Sequence, residues 1–134
     1  MAVLAILLFV GPPLCIGSME VEHVSKERAK QLGIEIRAKA NGPNDAWIEL
    51  EFNPKGELKG FVHVSLEIRE GEKLLLGYSP LKEKPSDSGT IVVSFLADRA
   101  YMEKITLSVI TGQPMNYTGH ELRVKEFLDL GKLP

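Results

Sequence analysis

The chain has 134 residues, a formal net charge of −2 and a single cysteine, Cys15. This length suits one ordinary domain, and one cysteine excludes an intrachain disulfide framework and a multi-thiolate metal site. Acidic and basic residues alternate without a basic stripe, so nucleic acid is not expected as a partner.

The first eighteen residues carry no charged side chain and begin with nine consecutive apolar positions after Met1, Ala2 to Val10. A membrane-spanning helix needs roughly 20 apolar residues, and Gly11-Pro12-Pro13 interrupts this run. An apolar stretch of about 7–15 residues followed by small residues is typical of a secretory leader. We therefore predict a leader over residues 1–18 and one domain over residues 19–134. The domain is expected in the periplasm, the cell envelope or the extracellular space.

Three other interpretations of residues 1–18 stay open. An uncleaved anchor would tether the domain, and only then is a membrane expected as a partner. The same apolar run would also suit a buried first strand. Cys15 could carry acyl groups if cleavage occurred directly before it, but Pro12-Pro13-Leu14 matches that kind of cleavage site poorly.

Two short elements are predicted after the leader. Residues 19–24 alternate in polarity and predict an edge strand, and residues 25–33 predict a two-turn helix. Ser25 can cap the start of this helix and Gly33 can end it. Glu20, Glu22 and His23 are potential metal ligands, but strand alternation directs His23 away from both carboxylates. We therefore predict no metal site there.

From residue 34 onward, apolar residues recur at every second position, which is typical of half-buried strands. About seven strands, separated by turn signals, predict a mainly β domain folded as an antiparallel β-sandwich with one short N-terminal helix. The strands are predicted over 34–40, 46–52, 61–69, 74–79, 90–97, 105–111 and 120–127, with a polar connection at 80–89 and a turn at 112–119.

The sequence Asp-Arg-Ala-Tyr at residues 98–101 precedes a predicted strand and a terminal hairpin. It resembles the tyrosine corner of immunoglobulin-like domains. The resemblance implies an immunoglobulin-like topology and a Tyr101 hydroxyl that bonds back to the main chain.

The sequence contains no zinc-protease, nucleophile-elbow, phosphate-loop or dinucleotide-binding motif. His23, His63 and His120 are far apart along the chain, and the latter two are expected on the surface. We therefore predict no catalytic residue, no cofactor and no metal ligand.

Three aromatic residues are candidate contacts for a ligand or partner: Trp47, Tyr78 and Tyr117. Trp47 shares the outward face of its strand with Glu49 and Glu51, an arrangement that suits sugar stacking or a protein contact. The commoner interpretation is that Trp47 packs beneath the helix at 25–32 or a loop. Asn116-Tyr117-Thr118 is a formal N-glycosylation acceptor.

These observations favour an exported, non-catalytic binding module for an unknown protein or glycan. The alternatives are a structural envelope protein that assembles through its sheet edges and a small hydrolase with a site not visible in the sequence.

Overall fold

The structure, a computed structural model, describes residues 19–84 and 87–133, so the predicted leader lies outside the described residues. The described residues are mainly β and form a sandwich of two sheets. Their nine strands are β1 (Glu20–His23), β2 (Glu35–Asn41), β3 (Asp45–Phe52), β4 (Phe61–Glu70), β5 (Lys73–Leu81), β6 (Glu83–Lys84), β7 (Ile91–Asp98), β8 (Ile105–Gln113) and β9 (Asn116–Arg123).

One sheet has five strands in the order β1-β9-β8-β4-β5, and the other has four in the order β2-β3-β7-β6. Every neighbouring pair is antiparallel except β1 and β9, which are parallel. The strand number among the described residues exceeds the predicted seven. One unpredicted strand, β6, lies in the segment predicted as a polar connection, because its two residues are both charged and carry no alternation.

The core lies between the sheets and is built by the alternation that the sequence predicts. On β3, Ala46, Ile48, Leu50 and Phe52 are fully buried, while Trp47 between them is exposed. Side chains from β4, β7, β8 and β9 complete the core: Val64, Val93, Leu107, Val109 and Leu122.

The predicted helix is present as α1 (Lys26–Leu32), and it connects β1 of one sheet to β2 of the other. The Ser25 hydroxyl accepts a hydrogen bond from the Arg28 backbone N–H at 3.1 Å, which caps the helix start. Gly33 ends the helix in the left-handed conformation, with φ of 74°. None of the helices among the described residues is both long enough and apolar enough to cross a bilayer.

A β-bulge changes which face the start of β4 presents. The register to β8 shifts between Phe61 and His63, and the extra residue reverses the alternation before it. Unbroken alternation would place Phe61 outward with His63 and Val62 inward with Val64. Phe61 instead packs edge-on against Phe52 with ring centroids 5.1 Å apart, and Val62 is 41% exposed.

The last hairpin is tighter than predicted. β9 spans Asn116–Arg123, whereas the sequence pattern predicts a strand at 120–127. Residues 112–119 are rich in turn-forming types, but only Pro114 and Met115 lie between the paired strands. Met115 adopts the left-handed conformation, with φ of 75°, and the following residues pair with β8.

Tyr101 departs from the tyrosine-corner expectation. It lies in a 3-10 helix at Arg99–Lys104 that turns its ring toward solvent. The ring lies beneath the Lys104 amine, 5.5 Å from the nitrogen to the ring centroid. Its hydroxyl makes no hydrogen bond to any described residue.

Candidate functional site

A groove of about 980 Å³ crosses the outer face of the four-stranded sheet. β3 and β7 form its floor. β2 forms one side, and residues 82–84, at and beside β6, form the other. Its lining residues are Arg37, Ala38, Lys39, Trp47, Glu49, Lys82, Glu83, Lys84 and Ser94.

Trp47 contributes an exposed aromatic ring to this groove. Its neighbours across the sheet are Lys39 on β2 and Leu96 on β7, and Trp47 is 44% exposed while Leu96 is 47% exposed. Trp47 points outward because Ala46 and Ile48, on either side of it, are buried in the core. The interpretation that Trp47 packs beneath the helix or a loop is therefore wrong.

Arg37 links the acidic residues of β3 to β2. Its Nε donates to Glu49 Oε1 at 3.2 Å, and its Nη2 donates to both Glu49 and Glu51. These hydrogen bonds, chiefly the one to Glu49, raise the pKa of Arg37 further above its ordinary value. The guanidinium charge is thus already balanced by carboxylates within the sheet, and it adds little net charge to the groove.

The other three basic residues of the groove are lysines, and they differ from Arg37 in their ion pairing. Lys39, Lys82 and Lys84 have no carboxylate within ion-pair distance among residues 19–84 and 87–133. Arg37, Glu49 and Glu51 together form what we call the Arg37 cluster. Among the described residues that line the groove, Glu83 is the one acidic residue outside this cluster. The groove therefore has an excess of positive charge, although the whole chain has a net charge of −2.

A second groove, on the outer face of the five-stranded sheet, has a different character. It holds about 490 Å³ and is lined mainly by charged residues of both signs. Glu67 accepts a hydrogen bond from Arg69 at 2.8 Å, and Glu70 pairs with Lys104 at 3.3 Å just beyond it. Its lining residues, among those whose side chains the structure describes, include no aromatic one, so these residues offer no surface comparable to Trp47 for stacking a ring.

A chain of polar side chains, buried at Thr111 and His120 and half-buried at Glu22, connects β8, β9 and β1. The His120 Nδ1 donates to Glu22 Oε1 at 3.0 Å, and its Nε2 lies 3.1 Å from Thr111 Oγ1. Although His120 was expected to be exposed, its exposed fraction is 4%. The sequence pattern missed its burial because Glu22 is 98 residues away along the chain.

The chain of hydrogen bonds continues to α1 and to the 3-10 helix at Gly56–Leu58. Arg28 donates to Glu22 at 2.7 Å and makes a two-pronged contact with Glu57 at 2.6 and 3.0 Å. The bonds from Arg28, and more weakly from His120, hold the pKa of Glu22 below its usual value. Arg28 likewise lowers the pKa of Glu57.

The order hydroxyl, imidazole, carboxylate is the one that hydrolases use to activate a nucleophile. Thr111 and His120, however, are each only 4% exposed, and neither lines either groove described above. A nucleophile must come within about 3–3.5 Å of the atom that it attacks. The chain Thr111-His120-Glu22 therefore connects β8, β9 and β1 through side-chain hydrogen bonds away from both grooves.

The three predicted contact residues do not form one site. Trp47 lies on the four-stranded sheet, whereas Tyr78 lies on β5 and Tyr117 on β9 of the five-stranded sheet. Tyr117 is half-buried beside Gly112, its partner in the hairpin. Trp47 borders the first groove, whereas Tyr117 borders neither groove.

The other histidines are separate from each other. His23 pairs with Glu126 at 3.0 Å, while Glu22 binds His120 and Arg28. Glu22 and His23 are neighbours on β1, and their side chains point to different partners, as strand alternation predicts. No group of three or more potential metal ligands occurs among the described residues.

Comparison of the chain with protein-family models, curated proteins and solved structures finds no match.

Proposed function

We propose that the protein is an exported, non-catalytic binding module with an immunoglobulin-like β-sandwich, and that it binds its ligand in the groove around Trp47. The observation that carries this proposal is a half-exposed tryptophan in the floor of a groove of about 980 Å³. Exposed aromatic residues in concave surfaces are typical contact residues because they offer a large rigid area.

The strand order supports the immunoglobulin-like part of the proposal. Immunoglobulin domains place strands A, B, E and D in one sheet and C, F and G in the other. Numbering β2, β3, β7 and β6 as A, B, E and D reproduces the first sheet, and β4, β8 and β9 then correspond to C, F and G. The 3-10 helix Arg99–Lys104, which contains Tyr101, lies between the equivalents of E and F, where a tyrosine corner belongs. An experimental structure with a different strand order would refute this assignment.

Trp47 is the only tryptophan of the chain, so its fluorescence reports on this groove alone. We expect a ligand from a panel of glycans and proteins to shift or quench the emission. Trp47→Ala should abolish binding measured by calorimetry, while Tyr117→Ala on the other sheet should leave binding unchanged. Equal binding by wild type and Trp47→Ala would refute the groove as the site.

Export is the second part of the proposal and rests on residues 1–18. We expect the intact mass of protein from a soluble exported fraction of the natural host to correspond to a chain that begins near Ser18 or Met19. A full-length protein in the cytoplasm would refute export, and a full-length protein in the membrane fraction would indicate an anchor.

A second candidate function is assembly with further copies through a sheet edge. β5 is an edge strand, and its consecutive residues Leu74, Leu75 and Leu76 are all exposed. Unpaired edge strands with apolar side chains associate readily. This function predicts that the mass measured by light scattering rises with concentration and that Leu75→Glu prevents the rise. Leu96→Glu, on the outer face of the other sheet, is the matched control.

A further inference from the structure

We propose that the ligand of the Trp47 groove is an acidic polysaccharide, one whose sugar rings carry carboxylates. One ring stacks on Trp47, and carboxylates of that ring and its neighbours bind Lys39, Lys82 and Lys84. This inference rests on the proposed function, because it assigns a ligand class to the same groove.

The positions of the three lysines favour an extended anionic ligand. Lys39 lies on edge strand β2, and Lys82 and Lys84 lie at the opposite edge, at and beside β6. Three spacings between neighbouring strands separate these edges, a distance of about 14 Å. A single small anion cannot span that distance, whereas a chain with one negative charge per ring can reach both sides.

The floor between the lysines suits a sugar. The flat apolar face of the Trp47 ring can receive the C–H face of a pyranose, and an aromatic ring gives a large contact area with little entropy loss. Glu49 and Ser94 are direct neighbours on β3 and β7 and both line the groove. Their oxygens can accept hydrogen bonds from sugar hydroxyls.

The Arg37 cluster keeps this floor in place. Arg37 is held by Glu49 and Glu51, so Glu49 is already oriented before a ligand arrives. Pre-oriented groups lose less entropy on binding. Because Arg37 is occupied, the positive charge available to a ligand comes from the lysines.

The residues that line the groove argue against a protein partner or a single-stranded nucleic acid. Lysine and glutamate are depleted in protein interfaces, yet this groove is lined by three lysines and two glutamates. Single-stranded nucleic acids stack successive bases on several aromatic side chains, and Trp47 is the one aromatic residue among the described residues that line the groove.

The test is a titration of the protein with four oligomers of similar length, followed by Trp47 fluorescence and by calorimetry. The probes are an oligogalacturonate, a neutral gluco-oligosaccharide, a heparin-derived oligosaccharide and an oligothymidylate. We expect the oligogalacturonate to bind best and its affinity to fall as salt rises. The double variant Lys82→Gln/Lys84→Gln should bind it roughly tenfold more weakly, as expected for two exposed ion pairs. Lys125→Gln, in the groove of the other sheet, should bind like wild type.

The outcomes separate this inference from the proposed function. If the neutral sugar binds as well as the oligogalacturonate and Trp47→Ala abolishes both, the groove is the site but the acidic ligand class is wrong. Preferred binding of the heparin fragment or of the oligothymidylate also overturns the carboxylated class. If the oligogalacturonate binds equally to wild type and Trp47→Ala, the groove itself is wrong. If no probe binds, the inference fails.

Discussion

At the scale of single residues, Trp47 and Ile48 show that one strand contributes side chains both to the groove and to the core. They are neighbours on β3, but Ile48 is completely buried and Trp47 is 44% exposed. We expect Trp47→Ala to lower the free energy of unfolding by less than about 1 kcal/mol, because exposed positions tolerate substitution. Ile48→Ala should cost about 2–5 kcal/mol because it leaves a cavity. Urea denaturation of both variants measures the difference, and a loss of several kcal/mol for Trp47→Ala would show that its ring belongs to the core.

His120 is the second residue whose role depends on burial. Removing its ring leaves Thr111 and part of Glu22 without a hydrogen-bond partner. An unsatisfied buried group costs about 1–3 kcal/mol, so His120→Ala should reduce the free energy of unfolding by at least that amount. His63→Ala is the control, because His63 is only half-buried and makes no hydrogen bond to a described side chain. Equal losses in the two variants would contradict a stabilising role for the buried chain of hydrogen bonds.

At the scale of elements, the β8–β9 hairpin depends on a glycine. Gly112 has φ of 115°, and a Cβ added there would collide with the backbone oxygen of Asn116 on the paired strand. Gly42 also has a positive φ, of 81°, but a Cβ there meets nothing within 4 Å. Gly42→Ala should therefore cost about 1–2 kcal/mol from backbone strain alone. Gly112→Ala should cost clearly more, as measured by thermal or urea unfolding, and an equal cost would show that the hairpin can move apart freely.

At the scale of the whole molecule, acid should weaken the connection between the N-terminal segment and the sandwich. Glu22 and Glu57 both bind Arg28, which lowers the pKa of each carboxyl in the folded protein. Their ionised forms therefore stabilise the fold fully above the unfolded value of about 4.3. This stability is lost as the pH falls through the lower folded pKa.

The matching experiment compares wild type with Glu22→Gln by urea denaturation between neutral pH and strong acid. Wild type should be the more stable protein at neutral pH, and the difference should shrink as the pH falls below the ordinary carboxyl range. Glu35→Gln, an exposed residue at one side of the Arg37 cluster, should show a smaller difference at neutral pH. If the difference in free energy of unfolding between wild type and Glu22→Gln stayed constant into strong acid, the ionised Glu22 carboxylate would not be its source.

Much of the local structure could be predicted from the sequence, because it depends on neighbours along the chain. The caps at Ser25 and Gly33 and the buried set on β3 follow from local hydrogen bonding and from alternation. The outward direction of Trp47 follows from the same alternation. The mainly β class and the two-sheet sandwich are confirmed by the strand pairing.

The remainder was decided by contacts between distant segments, which no local pattern encodes. The bulge at Val62 turns Phe61 onto Phe52 on another strand, and His120 is covered by β1, which brings Glu22 beside it. The groove required strand pairing to set Lys39 and Lys84 on opposite edges of the sheet that carries Trp47. The sequence alone therefore determined the inward and outward faces of regular strands such as β3. Only the tertiary structure decided where the alternation breaks and which outward residues share a surface, because bulges and strand order are set by long-range pairing.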